Sequence, residues 1–479
     1  MPAVASALAA LSLVACRDRP APQAEDPSAS AHETPAGPLL VDTLAYGRFG
    51  PVVVYRERPH PSHVVLFISG DGGWNHGVVD MARSLASLDA VVVGVDIRRY
   101  LAALERAGGP CGYPAADFEA LSQWVQRRLG YSAYVPPVLV GYSSGATLVY
   151  ATLVQAPPGT FLGGISLGFC SDLRLQRPLC RAGGLTLAAG RQGRVSVLPA
   201  DTVRSPWFVL HGAEDSSCTA ARAESFVRHV RGAQLVSLSG VGHGFSVEAH
   251  WMPQFREVFE QLSRMEPRPA PAPPAVRDLP LVEVPAKGDS GELAVIVSGD
   301  GGWASLDRDI GQALAARGIP VVGFNSLQYF WRARTPDEAS RDLARVLRHY
   351  LNAWNARDAL LVGYSLGADV LPFMVSRLPP DLRSRVHLVA LLGPERTATF
   401  EFHVAEWLGG AGRGPATAPE IERLTGLRVL CFYGEDETDS ACPLVHPGAA
   451  TVVRVPGGHH FGGSYESLAE RILGAARAP

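Results

Sequence analysis

Short, continuously apolar runs alternate with longer stretches that have helical spacing of apolar residues along most of the chain. The runs predict strands and the longer stretches predict helices. Strands without polar alternation are typical of a parallel sheet that helices cover on both faces. We therefore expect a doubly wound, mostly parallel α/β fold. In the C-terminal half the expected strands are Ala294–Ser298, Pro320–Phe324, Ala359–Val362, Val386–Leu392, Arg428–Tyr433 and Thr451–Val455, and the expected helices are Leu306–Arg317, Pro336–Ala353, Gly367–Arg377 and Tyr465–Ala476.

One set of motifs occurs twice in the same order. Residues 64–74 (VVLFISGDGGW) correspond to residues 293–303 (LAVIVSGDGGW), and residues 138–146 (VLVGYSSGA) correspond to residues 360–368 (LLVGYSLGA). A D-S-x-C motif and a Gly-His motif follow in both copies, and all four offsets lie between 216 and 229 residues. Such a repeat indicates one module present twice. The expected organisation is a signal peptide at 1–16, a disordered tether at 17–38, module 1 at 39–265, a Pro/Ala linker at 266–275 and module 2 at 276–479.

Composition limits the class of protein. Apolar residues make up 47% and charged residues 19% of the 479 residues, which is typical of a globular protein. The formal net charge is −3, and no basic stretch is present, so we expect no nucleic-acid partner. No apolar run reaches the ~18 residues that a membrane-spanning helix needs.

The N-terminus has the features of an export signal. Residues 3–15 are small and apolar, and Leu13-Val14-Ala15-Cys16 has the form of a bacterial lipobox, whose cysteine becomes the lipidated first residue. No Lys or Arg precedes the apolar run, so an ordinary signal peptide cleaved near Ala15 is the alternative. We expect a periplasmic protein tethered to the membrane through Cys16.

The other six cysteines divide into four in module 1 and two in module 2. An oxidising periplasm would permit disulfides within each module, and Cys431–Cys442 is the first pair that we expect. Buried free thiols are the alternative.

A G-x-S-x-G pentapeptide follows an apolar strand and opens a helix in each module, with Ser143 and Ser365 at its centre. This context is typical of the nucleophile elbow of α/β-hydrolases. A serine hydroxyl needs a base, and a histidine oriented by an acid supplies one. The order nucleophile, acid, histidine gives Ser143, Asp215 and His243 in module 1, and Ser365, Asp439 and His459 in module 2.

Two of the module 2 assignments have competitors. Glu437 stands three residues after Gly434, as Asp215 stands three residues after Gly212, but the D-S-x-C match favours Asp439. His460 competes with His459, and the Gly-His match favours His459.

The glycine-rich SGDGGW loops are candidates for the oxyanion hole, which needs one N–H from the residue after the nucleophile and one from a loop after an early strand. The expected donors to the oxyanion are Ser144 with Asp71 and Gly72 in module 1, and Leu366 with Asp300 and Gly301 in module 2. A plain β–α turn is the alternative.

Two aromatic residues of module 2, Trp303 and Tyr329, are candidates for the wall of a substrate pocket. Tyr329 belongs to a Gln-Tyr-Phe-Trp segment (residues 328–331), which would form a pocket wall, a membrane-facing lip or part of the core.

Module 2 resembles the VirJ/AcvB family of bacterial virulence proteins, which are exported and α/β-hydrolase-like. The resemblance lies in the SGDGGW loop, Gly363–Met374, the QYFW segment with Arg334-Thr335-Pro336, and Gly457–Phe461. The two-module layout is similar to the longer, AcvB-like branch. The resemblance implies a periplasmic hydrolase of aminoacylated phosphatidylglycerol, chiefly lysyl-phosphatidylglycerol, with Ser365 as the nucleophile. A lipobox departs from what the family activity needs, although it suits a lipid substrate.

A cationic lysyl group would be attracted by carboxylates, and Asp300, Asp369 and Glu437 are candidates to bind it, with solvated loop acids as the alternative. Asp369 would equally suit the N-terminus of the elbow helix. Hydrolysis by such a triad needs no cofactor, and no metal-binding pattern is visible. The expected partner is an aminoacylated phospholipid at the membrane surface. The competing hypotheses are an adaptor for secretion-system proteins and a generic carboxylesterase, and the activity of module 1 and the oligomeric state stay open.

Overall fold

Two mostly parallel sheets with helices on both faces form the frame of the protein, and their central strands are the apolar runs of the sequence. The computed structural model describes Met1 and residues 38–106, 111–157, 159–190, 194–265, 274–286, 288, 290–303, 305–401, 414–461 and 465–477. The expected signal peptide with Cys16, nearly all of the tether and most of the linker lie outside these residues. The described residues from Pro38 onward belong to one compact unit.

The elements of module 1 are β1 (Leu40–Tyr46), β2 (Gly50–Arg56), β3 (His63–Ile68), α1 (His76–Ala86), β4 (Ala90–Val95), α2 (Ile97–Arg106), α3 (Pro114–Arg128), β5 (Val138–Tyr142), α4 (Ser144–Gln155), β6 (Gly163–Leu167), β7 (Asp172–Arg174), β8 (Leu187–Ala189), β9 (Arg194–Val197), β10 (Thr202–Gly212), α5 (Ala220–Val227), β11 (Arg231–Leu238) and α6 (Met252–Arg264).

The elements of module 2 are β12 (Leu281–Val284), β13 (Glu292–Val297), α7 (Ser305–Ala315), β14 (Val321–Phe324), α8 (Ser326–Tyr329), α9 (Pro336–Ala353), β15 (Asp358–Tyr364), α10 (Leu366–Ser376), α11 (Pro380–Arg383), β16 (Val386–Leu392), α12 (Thr417–Glu422), β17 (Arg428–Gly434), β18 (Thr451–Val455) and α13 (Tyr465–Arg477).

The strand order of the first sheet is that of an α/β-hydrolase core. The order is β1-β2-β4-β3-β5-β6-β10-β11, with β2 antiparallel to both of its neighbours and the remaining pairs parallel. The second sheet has the order β12-β14-β13-β15-β16-β17-β18, and only β12 is antiparallel in it. The predicted α/β fold with two tandem hydrolase-like modules is confirmed. A small sheet, β7-β9-β8, is inserted after β6.

Each sheet separates two apolar clusters, because successive side chains of a strand point to opposite faces. In β3, Val64, Leu66 and Ile68 belong to one cluster, and Val65 and Phe67 belong to the other. Both layers of helices therefore have an apolar surface to bury, which explains why these runs show no polar alternation.

Helix α9 shows how local chemistry fixes an element start. Thr335 Oγ1 accepts the N–H of Glu338, and a carboxylate oxygen of Glu338 accepts the N–H of Thr335 at 2.8 Å. This capping box satisfies two N–H groups that an open helix end would leave unpaired. Pro336 takes the first helical position, where no N–H is needed.

The aromatic segment 328–331 joins the two modules instead of lining a pocket or facing a membrane. Trp331 is fully buried and belongs to the apolar cluster of module 1. Its indole N–H donates to the carbonyl of Tyr131 at 2.8 Å, and its ring lies 5.4 Å from that of Tyr134. The guanidinium of Arg127 lies over the same ring and pairs with Glu401 at 2.7 Å. Module 2 is thus anchored in the core of module 1.

Among the described residues there are three disulfides, each within one module: Cys111–Cys180, Cys170–Cys218 and Cys431–Cys442. The expected Cys431–Cys442 pair is confirmed. None of the helices in the described ranges combines the length and the apolar character that crossing a membrane requires.

We expect Trp331→Ala to destabilise the protein by about 3 kcal/mol or more, because a fully buried indole leaves a cavity between the modules. Scanning calorimetry would show a lowered or divided unfolding transition. Trp354→Ala is the matched control, since Trp354 is half-buried and its ring packs at an angle against that of Tyr350 within module 2. Equal effects of the two substitutions would contradict the anchoring role of Trp331.

Candidate active site

Both elbow serines adopt a backbone conformation that is rare for a residue with a side chain. Ser143 has φ 54° and ψ −118°, and Ser365 has φ 51° and ψ −122°. Each lies between the end of a central strand and the start of a buried helix, α4 or α10. Strain of this kind persists only where the surrounding structure imposes it, and it is enriched at active sites.

The positions that flank each elbow serine must be glycine, because a Cβ there would clash with neighbouring backbone atoms. A Cβ on Gly141 would lie 2.3 Å from the carbonyl oxygen of Gly145, and a Cβ on Gly145 would lie 2.3 Å from that of Ile68. Gly363 and Gly367 are equally confined in module 2. The G-x-S-x-G spacing therefore follows from the close approach of strand and helix.

In module 1 the three predicted residues form a connected set, which we call site 1. Ser143 Oγ lies 3.0 Å from His243 Nε2, and His243 Nδ1 lies 2.7 Å from Asp215 Oδ2. The side chain of Asp215 is fully buried, and its Oδ1 accepts the N–H groups of Ser217 and Cys218 at 2.9 Å each. Asp215 thus holds the proton of His243 on Nδ1, which leaves Nε2 free to accept from Ser143.

In module 2 the carboxylate beside His459 is that of Glu437 and not that of Asp439, which the D-S-x-C match had favoured. Glu437 Oε1 lies 2.5 Å from His459 Nδ1, whereas Asp439 is exposed. Glu437 Oε2 also accepts the N–H of Gly434. We call Ser365, Glu437 and His459 site 2.

The D-S-x-C match misled because the two loops are held differently. Cys218 is bonded to Cys170 after β6, whereas Cys442 is bonded to Cys431 within β17. The carboxylate that reaches the histidine is the one at a fixed distance from the end of the strand. Asp215 and Glu437 both stand three residues after the final glycine of their strand.

Ser365 Oγ and His459 make no hydrogen bond to each other in the described structure, in contrast to the pair in site 1. Catalytic hydrogen bonds are often loose in the free enzyme and tighten when substrate binds.

The two adjacent histidines of module 2 have different hydrogen-bond partners. The ring of His459 contacts Glu437, and the ring of His460 contacts the hydroxyl of Tyr364 at 2.8 Å.

Electrostatics favour a proton on His459. Burial by itself lowers the pKa of His459, but the hydrogen bond from its ring to Glu437 and the charges of Glu437, Asp300 and Glu395 raise that pKa above its ordinary value. The same hydrogen bond lowers the pKa of Glu437 against the opposing effect of burial. Burial and the neighbouring His459 lower the pKa of His460. His459 is therefore the better proton acceptor of the pair.

The SGDGGW loops approach the nucleophiles one residue earlier than expected. A Cβ on Gly70 would lie 3.1 Å from Ser143 Cβ, and one on Gly299 would lie 3.4 Å from Ser365 Cβ. The predicted Asp71 follows Gly70 and lines the cavity at Ser143, and Asp300 follows Gly299. Gly72 lies farther along the loop beside Asn75, and Gly301 accordingly lies beyond Asp300.

On the helix side, Ser144 and Leu366 are the first residues of α4 and α10. The first N–H groups of a helix have no partner within the helix and point beyond its N-terminus. Each site therefore has free N–H groups beside its nucleophile, as an oxyanion hole requires.

Trp303 packs on the sheet and does not line a substrate pocket. A Cβ on Gly323 in β14 would lie 2.5 Å from its indole, and Trp74 covers Gly94 in β4 in the same way. The glycine has no side chain, so the indole can lie directly on the strand. The tryptophan of each SGDGGW loop therefore packs the loop against the sheet. The glycines in VVGV and VVGF were the sequence signal for this contact.

Tyr329 and Asp369 also hold structure rather than face substrate. Tyr329 is buried, its hydroxyl donates to Asp342 at 2.7 Å, and the Arg334 guanidinium lies over its ring. Asp369 is buried in α10 and accepts the N–H of Glu395 at 2.6 Å. Both side chains are engaged by neighbouring segments, which removes them from the substrate-binding candidates.

Sequence reasoning missed two pairs of supporting residues. Tyr142, in the elbow, donates its hydroxyl to the carbonyl of His243 at 3.0 Å, and Tyr364 contacts His460. Gly168 and Gly393 have positive φ and lie beside the rings of His243 and His459, respectively. The signal was available, because both pairs recur in the two copies of the repeat.

A cavity of about 360 Å³ opens at Ser143 and His243. Its apolar wall is formed by Phe169, Ala223 and Phe226, and the Cys170–Cys218 disulfide also borders it. Its charged lining residues are Asp71, Asp172, Arg194 and Arg222. Site 1 therefore combines a hydrogen-bonded serine and histidine with a partly open cavity large enough for a small ester.

We expect Glu437→Gln to lower kcat/KM at site 2 by roughly 1,000-fold or more, because the amide cannot stabilise the imidazolium of His459. The residual activity should reach its plateau at lower pH, since the base is neutral His459 and the loss of Glu437 lowers its pKa. Hydrolysis of a chromogenic ester in a Ser143→Ala background measures both effects. Asp439→Asn is the control, and a comparable loss in that variant would contradict the assignment.

The profile of the bacterial virulence protein (VirJ) family matches residues 62–160 and 291–478, which is more than half of the chain and includes both elbows. No curated protein sequence matches.

Among solved structures, the chain is similar to a Klebsiella pneumoniae protein assigned as a dienelactone hydrolase (14% identity, 47% of this chain, 99% of that chain, TM-score 0.35). It is also similar to an esterase domain from Rhodothermus marinus (18% identity, 47% of this chain, 98% of that chain, TM-score 0.32). A third is an α/β serine hydrolase without a lid from Xanthomonas campestris (19% identity, 49% of this chain, 97% of that chain, TM-score 0.30).

These structures each align with about half of the chain, and the fold assignment rests on the strand order and not on them. The resemblance that the module 2 motifs indicated is confirmed by the match over both modules. The chain belongs to the VirJ family of bacterial virulence proteins.

Proposed function

We propose that the protein is an exported serine hydrolase that cleaves the aminoacyl ester of lysyl-phosphatidylglycerol at site 2. The fold and the family support a hydrolase. The substrate, the triad and export are parts of the proposal. Ser365 is the nucleophile, His459 is the general base and acid, and Glu437 orients His459.

The observation that carries the substrate class is the negative charge around His459. Asp300 and Glu395 act on the imidazole together with Glu437, and all three raise its pKa. A lysyl ester brings two ammonium groups to the reacting carbonyl. Carboxylates attract such cations, and the attraction becomes stronger when the bound substrate excludes water from the site.

Module 1 adds a further acid to this region. Glu119, on α3, has its Oε1 3.9 Å from the position that a Cβ on Gly301 would occupy. Burial and the charge of Asp300 raise the pKa of Glu119 to about 8. A cation bound beside Asp300 would favour the ionised form of Glu119, so binding of an ammonium group would be reinforced from both modules.

The reaction follows from these positions. Ser365 Oγ attacks the lysyl carbonyl carbon while His459 takes its proton, and N–H groups at Leu366 and the Gly299–Asp300 turn stabilise the oxyanion. The ester C–O bond breaks, and His459 returns the proton to the glycerol oxygen of phosphatidylglycerol. Water then attacks the lysyl-enzyme with His459 as base, and lysine leaves.

Export and tethering through Cys16 are proposed on separate grounds. Three disulfides are compatible with an oxidising compartment, where such bonds persist. A lipid anchor on Cys16 would hold the enzyme at the surface that contains its substrate.

We expect soluble protein lacking residues 1–37 to release lysine from vesicles that contain lysyl-phosphatidylglycerol. Ser365→Ala should abolish the release because it removes the proposed nucleophile of site 2, and Ser143→Ala should retain it. Quantification of free lysine measures both, and calorimetry confirms that each variant is folded. Release that survives in Ser365→Ala, or no release from the folded wild type, would contradict the proposal.

The same assay tests the role of charge at site 2. Asp300→Asn should raise KM for the lysyl lipid by a larger factor than for a neutral chromogenic ester. Asp439→Asn is the matched control, since Asp439 is exposed and lies outside the triad. Equal changes for the cationic and the neutral substrate would remove the electrostatic argument.

A further inference from the structure

Module 1 has a complete catalytic geometry that the hydrolysis at site 2 does not use. The distances of 3.0 Å from Ser143 to His243 and 2.7 Å from His243 to Asp215 are those of a hydrogen-bonded Ser-His-Asp triad. The triad ends in a cavity of about 360 Å³, which is within the usual range for a small-molecule site. A module kept only as a support for module 2 would need neither feature.

We propose that site 1 is a second, independent ester-hydrolysing centre, and that it prefers esters with an apolar chain carrying an anionic group. The inference does not depend on the substrate of site 2.

The apolar part of the preference comes from the cavity wall. Phe169 and Phe226 are buried, with their ring centroids 4.9 Å apart, and Ala223 lies beside them. The Cys170–Cys218 disulfide continues this wall up to the loop that holds Asp215. A short alkyl chain attached to the reacting carbonyl would bury its surface here, at a gain of about 0.8 kcal/mol per CH₂ group.

The anionic part comes from the arginines at the cavity. Asp71 is paired with Arg194 at 3.6 Å, and Asp172 accepts the hydroxyl of Ser196. Asp71 thus has a cationic partner, whereas the partner of Asp172 is a neutral hydroxyl. Arg222 is exposed in the first turns of α5, and no carboxylate pairs with it among the described residues. It is the cation of the lining that is available to an anionic ligand, and it is opposite in sign to the carboxylates around His459 in site 2.

The reaction balances with water as the second reactant. Ser143 Oγ attacks the carbonyl carbon, and its proton moves to His243 Nε2. The C–O bond to the alcohol breaks, and the alcohol oxygen takes that proton. Water attacks the acyl-enzyme, gives a proton to His243, and releases the carboxylic acid with Ser143 restored. Ser143 and His243 are the catalytic residues, and Asp215 is a positioning residue that acts through His243.

The test compares two esters in full-length Ser365→Ala protein, in which site 2 is silent. The probes are mono-p-nitrophenyl adipate and p-nitrophenyl hexanoate, which have equal chain lengths and differ by a terminal carboxylate. We expect both to be hydrolysed above the buffer rate, the adipate ester with a kcat/KM about three- to fivefold higher, as for a charge pair at a cavity rim. A Ser143→Ala/Ser365→Ala double variant should show no turnover.

Arg222→Gln should lower kcat/KM for the adipate ester to the level of the hexanoate ester, so that the ratio of the two values falls to about one. Arg228→Gln is the matched control, because Arg228 is exposed at the end of the same helix and does not line the cavity. A ratio that Arg222→Gln leaves unchanged, or that Arg228→Gln lowers equally, would overturn the charge preference.

Labelling by a fluorophosphonate, mapped to the Ser143 peptide, separates the two parts of the proposal. Labelled Ser143 without turnover of either ester would overturn the substrate class. Folded protein whose Ser143 is not labelled, or ester hydrolysis that persists in the double variant, would overturn the second centre.

Discussion

The sharp strand-to-helix turn at Ser143 and Ser365 is the constraint on which the rest of each module depends. The turn holds a serine at positive φ, and it forms only where glycines let strand and helix approach within contact distance. Parallel strands on either side bring the acid and histidine loops to the same edge of the sheet. The buried helices α4 and α10 fix the turn from behind and supply free N–H groups in front. One local strain thus places the nucleophile, the base and the oxyanion donors together.

The two copies of this frame have diverged in their charge. Site 1 has an aspartate acid, a cavity with an apolar wall and an available arginine. Site 2 has a glutamate acid and further carboxylates around its histidine. The fold leaves such changes free because they lie in loops after the strands. The G-x-S-x-G elbows, the SGDGGW loops and their packed tryptophans, in contrast, are shared by both copies. Trp331 then joins a loop region of module 2 to the core of module 1, so the two modules form one compact unit.

Much of the frame was predictable because it depends on local sequence. Buried strands such as Ala90–Val95 and Val386–Leu392 are continuously apolar, and the capping box at Thr335 marks a helix start. The antiparallel edge strand Leu281–Val284 was missed because it is short and has a glutamate in its middle. The acid of site 2 was misassigned because the D-S-x-C match outweighed the spacing from the strand end, which Asp215 and Glu437 share. The burial of Trp331 in the other module was unpredictable, since no local pattern says which surface covers an aromatic segment.

The account holds that one chain carries two separately activated serines and that a cationic lipid ester occupies only the second. Protection from a fluorophosphonate tests this most directly, with labelling of the Ser143 and Ser365 peptides followed over time. We expect both serines to be labelled in vesicles of phosphatidylglycerol, and lysyl-phosphatidylglycerol to slow labelling of Ser365 alone. Labelling of neither serine, or protection of Ser143 in place of Ser365, would contradict the account.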